Sequence, residues 1–424
     1  MGVGAAGVTG QTFVCPGCSA RVPLELPYSP WCEGCGWGIA PVRPTPTDLF
    51  GGLYERLSAR SGRALEQAIE HEASLRPRLT PAKLTAYLVA APVHLVTLAL
   101  ALAALLVALL GYPRVPALLS AAFLLLLAWV VRPRLPGAVT GVRPRSELPT
   151  LYGLTDRVAA AVGSPPLDGI VVTAAFNAAF GRYGLRRRRT LSLGLPMVEV
   201  LDPQERVALL AHEIAHGVNG DALQGWYLFG ACRTLARWSD LLRPPSGPPR
   251  AVGIAGLAEM LARPLRYGLS QLALLWLRLV LALAYRESQR AEYYADRLAA
   301  STAGTPAAIG LLTRLNLDRS YVAQAKGLGL DVKRDFFGGW RTFVEQMPDR
   351  ECERLRRAAR LETSRLDATH PPTVSRIHAL EARPADVPAL TLSASESARI
   401  DAELARFERP LQAVLADRMA SALH

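Results

Sequence analysis

Between Leu84 and Leu110 the chain carries no Asp, Glu, Lys or Arg. That run outlasts the roughly 20 residues a helix needs to cross hydrocarbon. Inside a bilayer every peptide group must find its partner within the segment, so such a run has little choice but to be helical. After Gly111-Tyr112-Pro113-Arg114 a second apolar run, Val115 to Val131, is near the minimum for a span. Together they predict a transmembrane hairpin with a very short outer loop. Arg76, Arg78 and Lys83 precede it, Arg132, Arg134, Arg143 and Arg145 follow it, and the loop holds only Arg114. The bias of basic residues toward the cytoplasmic face puts both flanks there. His94, inside the first run, is expected to be a neutral imidazole hydrogen-bonded within this helix pair rather than a proton relay. No basic start followed by an apolar core, the mark of a secretory signal, precedes the first cysteine.

Two knuckles lie upstream, Cys15-Pro16-Gly17-Cys18 and Cys32-Glu33-Gly34-Cys35. This is the spacing of a closed, structural four-cysteine zinc ribbon. A redox CxxC would not ordinarily occur twice without a βαβ pattern, and a cytoplasmic location keeps thiols reduced. So short a unit cannot bury a core, so metal is required for it to fold, as a separate recognition or assembly module. Cys232 and Cys352 read as buried thiols.

Downstream, His212-Glu213-Ile214-Ala215-His216 is an HExxH pentapeptide set in helical periodicity. Four residues is one turn, so both imidazoles face one metal, with Glu213 beside them as general base. Asp202 is a good N-cap, Pro203 suits the first helical position, and Glu205 falls at the capping-box position. Val207, Leu209, Leu210 and Ile214 supply a buried face. A catalytic zinc site needs a third protein ligand. Glu292 is the best candidate, because Asp296, four residues on, can accept a hydrogen bond from a ligand histidine and fix its tautomer. Glu287 is the rival, with no second acid one turn beyond it.

These segments resemble the M48 family of membrane-associated zinc metallopeptidases, which includes the heat-shock protease HtpX and the CAAX prenyl protease. His212 to Asp221 resembles the family's HExxHxxxxD helix, and Glu292-Tyr293-Tyr294-Ala295-Asp296 its ExxAD helix. Thr369-His370-Pro371-Pro372-Thr373-Val374-Ser375-Arg376-Ile377 is similar to its THPP…RI segment, and Phe176-Asn177-Ala178-Ala179-Phe180 to the strand before the zinc helix. The resemblance covers about residues 150 to 380. It implies a zincin-like (gluzincin) fold, mainly α with a small β-sheet. His212, His216 and Glu292 would be ligands, with Asp221 and Asp296 behind them. Glu213 would act as base, His370 or Arg376 would hold substrate or oxyanion, and Asn177 and Ala178 would pair with an extended substrate. Gln289 stands where the family often has Arg before the ligand Glu.

The expected layout is a zinc ribbon over 1–43, a linker and amphipathic helix over 44–83, the membrane hairpin over 84–132 and the metallopeptidase domain over 133–424. Leu167–Thr173 and Thr190–Leu193 read as strands, Arg186-Arg187-Arg188-Arg189 as a hairpin tip that is solvated or touches anionic headgroups, and 244–250 as a loop. Ser393–Met419 reads as helix. A third apolar helix, Tyr267–Tyr285, is interrupted by Gln271 and Arg278. His216 and Glu292 must meet, so the chain between them crosses the bilayer an even number of times. Zero is favoured, with Tyr267–Tyr285 buried in protein or lying at the membrane interface, because 222–241 carries Arg233 and Arg237 and 252–262 is too short. Two crossings, with arginine snorkelling, are the alternative. Net charge is +12, nearly all from arginine. No basic surface interleaved with aromatics points to nucleic acid, so the basic excess is assigned to lipid.

The sum is a multi-pass protein of the inner (cytoplasmic) membrane with two zinc ions, one catalytic and one structural. Ribbon and catalytic domain face the cytoplasm. Its expected work is endopeptidase cleavage of membrane or membrane-proximal polypeptides, in protein quality control. The alternatives are an inactive zinc-ribbon adaptor and a processing enzyme like the CAAX prenyl protease. Substrate sequence and oligomeric state are not written in the chain.

Overall fold

The computed structural model describes residues 11–39, 81–133, 137, 139–184, 186–218, 221–245, 247, 253–328, 334–361 and 370–423. The linker and amphipathic helix expected over 44–83 fall outside these, except for the residues from Pro81. The fold is mostly helical with two small sheets, as the sequence leads one to expect.

Helix α1 (Pro81–Gly111) turns through Tyr112–Arg114 into α2 (Val115–Val131). After β3 (Val142–Arg143) and α3 (Pro149–Val162) come β4 (Gly169–Thr173), β5 (Ala178–Tyr183) and β6 (Arg188–Gly194). They form a four-stranded sheet of order β3-β4-β6-β5, with β5 at its edge. A short helix α4 (Leu195–Val198) leads to α5 (Pro203–Val218), which carries the HExxH segment. The Asp202 backbone N–H donates to Glu205 Oε2 at 3.0 Å, the acidic half of the expected capping box. Every residue from Glu205 to Ala215 is buried. The zinc helix is therefore the central rod of the core, with the sheet, α3 and the helices that follow packed around it.

Two further helices pack with the hairpin. Helix α6 (Asp221–Leu242) runs on from α5, and α7 (Ile254–Ala303) is a single helix of 50 residues. Residues 254–262 are thus no separate short helix. They open α7, whose segment Gly256–Ala284 is long and apolar enough to cross a membrane. Both pack against α1. Small residues Ala86, Ala90 and Val93 on α1 allow close approach of Leu228, Ala231 and Leu235 on α6 and Val280 on α7. Trp276 Nε1 donates to the Val89 carbonyl at 2.9 Å, and Trp238 Nε1 to the Val131 carbonyl at 3.2 Å. Ser239 and Ser270, both buried, bond each other across α6 and α7 at 3.1 Å. Among the described residues, the helices long and apolar enough to cross a membrane are α1 and the Gly256–Ala284 segment of α7, and α6 packs beside both. His94 bonds outside the hairpin rather than within it, its Nε2 lying 3.0 Å from the Tyr227 carbonyl on α6.

The chain continues as α8 (Thr305–Arg314), a 3-10 turn (Leu315–Leu317), α9 (Asp318–Leu328), α10 (Phe336–Glu345), α11 (Asp349–Arg360) and α12 (Thr373–Glu381). The C-terminal helix divides at Arg406–Phe407 into α13 (Ala394–Ala405) and α14 (Glu408–Leu423), and Ser393 with Glu396 forms a full capping box on the first.

The N-terminal cysteine unit, with strands β1 (Thr12–Val14) and β2 (Arg21–Pro23), is not a detached module. Trp31, 2 % exposed, is buried against α11, with the guanidinium groups of Arg350 and Arg357 4.9 and 5.2 Å from its ring. Arg357 Nη1 donates to the Glu33 carbonyl at 2.9 Å, and the Tyr28 hydroxyl to the Phe343 carbonyl at 2.9 Å. Two aromatic anchors, Trp31 and Tyr28, and three helix residues, Arg350, Arg357 and Phe343, dock the unit on the domain that carries the HExxH helix.

Candidate active site

Helices α5 and α7 cross so that His212, His216 and Glu292 converge. His212 Nε2 lies 3.3 Å from His216 Nε2 and 3.5 Å from Glu292 Oε2, and His216 Nε2 lies 3.5 Å from Glu292 Oε1. A tetrahedral ion with ligand bonds near 2.05 Å has ligand–ligand edges of about 3.3–3.4 Å. Two imidazole nitrogens and a carboxylate at these separations therefore fit zinc. The side chain of Glu287 lies outside the described residues, as does that of Asp221, so neither expectation is met or refused.

Behind the triangle, His212 Nδ1 is 3.0 Å from Asp296 Oδ1, the tautomer-fixing contact expected of that aspartate. Burial lowers the affinity of His212 for a proton, but bonds to Asp296 and then Glu292 outweigh it, so its pKa is pushed up to about 10.

Arg376 sits differently from the expectation. Its Nη2 and Nε grip Asp296 Oδ1 and Oδ2 at 2.6 and 2.8 Å, and the residue is 2 % exposed. The guanidinium is engaged in this fork behind His212, with Nη2 also 3.8 Å from Glu292 Oε2. His370 takes the outer place. Its Nδ1 lies 2.6 Å from Glu292 Oε2, and its side chain is 42 % exposed, at the mouth of the site. Thr369 lies outside the described residues.

Glu213, 6 % exposed, accepts a hydrogen bond from the backbone N–H of Phe180 at 3.0 Å. The ladder explains why. Asn177 O accepts from Gly194 N–H at 2.9 Å, so Asn177 is one of the residues exchanging bonds with β6. In an antiparallel pair such residues alternate, so Ala178, Phe180 and Arg182 turn their peptide groups to the free edge. Ala178 thus has the edge position expected of it, whereas the Asn177 carbonyl is committed to the sheet. Phe180 was not singled out by sequence, since a backbone donor leaves no side-chain signal. Gly217, just after the second ligand histidine, is the available clue: a Cβ there would stand 2.8 Å from Phe180 Cζ.

The four cysteines also converge. Cys15 and Cys35 sulfurs are 3.5 Å apart, Cys18 and Cys32 sulfurs 3.6 Å, and all four lie within 4.8 Å of one another. Disulfide sulfurs would be about 2.05 Å apart. Four thiolates on one zinc with bonds near 2.3 Å have edges of about 3.8 Å, which suits this cluster.

Comparison with known proteins agrees with this geometry. The family profile described as peptidase family M48 matches residues 149–384. The chain belongs to peptidase family M48. Within that family it is similar to the Protease HtpX homolog of Pyrobaculum calidifontis, at 28 % identity over 269 residues, 61 % of this chain and 74 % of the relative. No solved structure matches the chain. The matched span holds both elements that bring His212, His216 and Glu292 together, and the M48 chain is a membrane-associated metallopeptidase.

Proposed function

We propose that this M48 peptidase is a zinc-dependent endopeptidase, held in the inner membrane by four helices, that cuts membrane or membrane-proximal polypeptides on the cytoplasmic side. The observation that carries the reading is the ligand triangle of His212, His216 and Glu292 beside a buried Glu213. Zinc bound there supplies Lewis acidity and lowers the pKa of water toward ~7.

The remaining work falls to the chain's own groups. The edge of β5 pairs with an extended substrate through the outward peptide groups of Ala178 and the carbonyl of Phe180. Phe180 N–H holds the Glu213 carboxylate in one orientation. Glu213 takes a proton from the attacking water and returns it to the leaving amine. Asp296, gripped by Arg376, fixes His212, while His370 braces Glu292 from the open side and lies where a substrate carbonyl would pass.

Helix α7 supports the substrate class. Its apolar segment ends at Ala284 and its ligand is Glu292, eight residues on, which in an unbroken helix is ~12 Å. A site at that height meets chain emerging from the bilayer surface, including exposed segments of damaged membrane proteins, which is the quality-control reading. Helices α6 and α7 supply the even number of crossings between His216 and Glu292. The ribbon would carry a second, structural zinc, and its domain boundary near residue 43 belongs to the same proposal.

The test is cleavage of a fluorogenic peptide and of casein by detergent-purified protein with zinc measured alongside. Activity should vanish on treatment with phenanthroline and return with added zinc. Cleavage that survives removal of the histidine-bound metal would overturn the reading.

A further inference from the structure

Strand β5 runs beside α5 and in the same direction. Phe180 N–H meets Glu213, and two residues on Arg182 Nη2 donates to the Gly217 carbonyl at 3.4 Å, four residues on. Two strand residues rise about 6.6 Å and four helix residues about 6 Å, so the elements advance together. Helix α5 ends at Val218 and α6, which packs into the apolar bundle with α1 and α7, begins at Asp221. The turn between β5 and β6, beyond Tyr183 and before Arg188, is therefore delivered to the base of that bundle.

This turn is strongly basic. Arg186, Arg187 and Arg188 are exposed, and Arg182 stands just behind them. Asp168, the acid facing them, is held through both oxygens by Arg189, at 3.0 and 3.1 Å. Burial, and then the charges of Arg187 and Arg189, push the Arg182 pKa down, so positive charge is crowded here. Arg187 holds a left-handed backbone, φ 48°, that keeps the turn tight and its side chains together.

We infer that the β5–β6 turn binds the phosphate groups of anionic lipids in the bilayer that holds the bundle, tying the substrate-pairing strand to the membrane surface. Guanidinium forks suit phosphate oxygens, and the exposed Arg186 and Arg188 at the tip have the position and the charge to meet them. Because β5 also supplies the N–H that orients Glu213, headgroup contact steadies the base as well as the strand. The inference rests on the membrane placement proposed above.

The full chain is reconstituted in nanodiscs of phosphatidylcholine alone or with phosphatidylglycerol. A photo-crosslinking amino acid is placed at Arg186 or at Leu98, an α1 side chain 55 % exposed. Leu98 should capture lipid in both. Arg186 should capture lipid about fivefold more with phosphatidylglycerol, the preference of one charge at an anionic surface. Phosphatidylglycerol should also raise peptide cleavage, and Arg186→Glu with Arg188→Glu should lose that rise while keeping wild-type cleavage in neutral nanodiscs. Capture at Leu98 without capture at Arg186, or equal capture at Arg186 in both lipids, overturns the lipid contact and leaves the membrane reading standing. No capture at Leu98 overturns both. If inorganic phosphate in neutral nanodiscs raises cleavage as phosphatidylglycerol does, the turn is a free-anion site and the inference is also overturned.

Discussion

Replacing Arg376 by methionine tests the idea that this residue works through Asp296. Both are nearly inaccessible, and the fork between them is closed by bonds of 2.6 and 2.8 Å. Burial would raise the Asp296 carboxyl, but the Arg376 charge and hydrogen bonds, with help from His212, bring it down to about 2. Removing one partner of such a buried pair leaves an uncompensated charge and costs about 3–5 kcal/mol. Loss of a contact that orients a ligand typically weakens metal binding by about 10- to 100-fold. Arg376→Met should therefore lower the unfolding temperature in detergent and shift zinc competition with a chromophoric chelator by that factor. Adding Asp296→Asn removes the stranded carboxylate, so the double variant should unfold at a higher temperature than Arg376→Met alone. If zinc affinity in Arg376→Met stays within about twofold of wild type, the positioning argument fails.

Gly217→Ala forces the Phe180 ring to move. Its Cβ would lie 2.8 and 3.0 Å from two ring carbons, an overpacking that costs about 1–3 kcal/mol. We expect kcat to fall about tenfold with zinc content unchanged, the loss of roughly 1.4 kcal/mol of transition-state stabilisation. Glu292→Ala should empty the catalytic site while leaving the cysteine-bound zinc, and full zinc occupancy would redirect attention to Glu287. Cys15→Ser with Cys18→Ser should remove the other zinc. Because Trp31 and Tyr28 are docked on α10 and α11, it should also lower the melting temperature of the catalytic domain, and an unchanged melting temperature would contradict the docking. Reporter fusions after Arg43 and Arg132 should read as cytoplasmic and one after Gly247 as external, and a cytoplasmic readout at Gly247 would remove the α6–α7 crossing.

What the sequence makes legible is local. The HExxH spacing, the Asp202–Glu205 helix start, the two cysteine knuckles and the charge-free run from Leu84 each depend on residues within one or two turns. The structure gives them the forms such spacing requires. What is hidden depends on distant partners or on the backbone. The packing of α6 along α1 and α7 joins residues far apart in the chain, such as Ala90, Ala231 and Val280. Arg376 reads as a cation free to hold substrate until Asp296, eighty positions away, takes both arms of its guanidinium. Phe180 acts through its N–H, and Trp31 docks on a helix more than three hundred residues downstream. No period or motif encodes such pairings.

The central claim is that Glu213 is the base at a zinc held by His212, His216 and Glu292. Its most direct test is Glu213→Gln, purified in detergent, with zinc content and peptide cleavage measured on one sample. The substitution keeps the volume of the side chain and touches no proposed ligand. Zinc content should equal that of wild type, and kcat should fall by about 100- to 10,000-fold, the contribution of a general base. Cleavage near the wild-type rate with zinc in place would contradict the account.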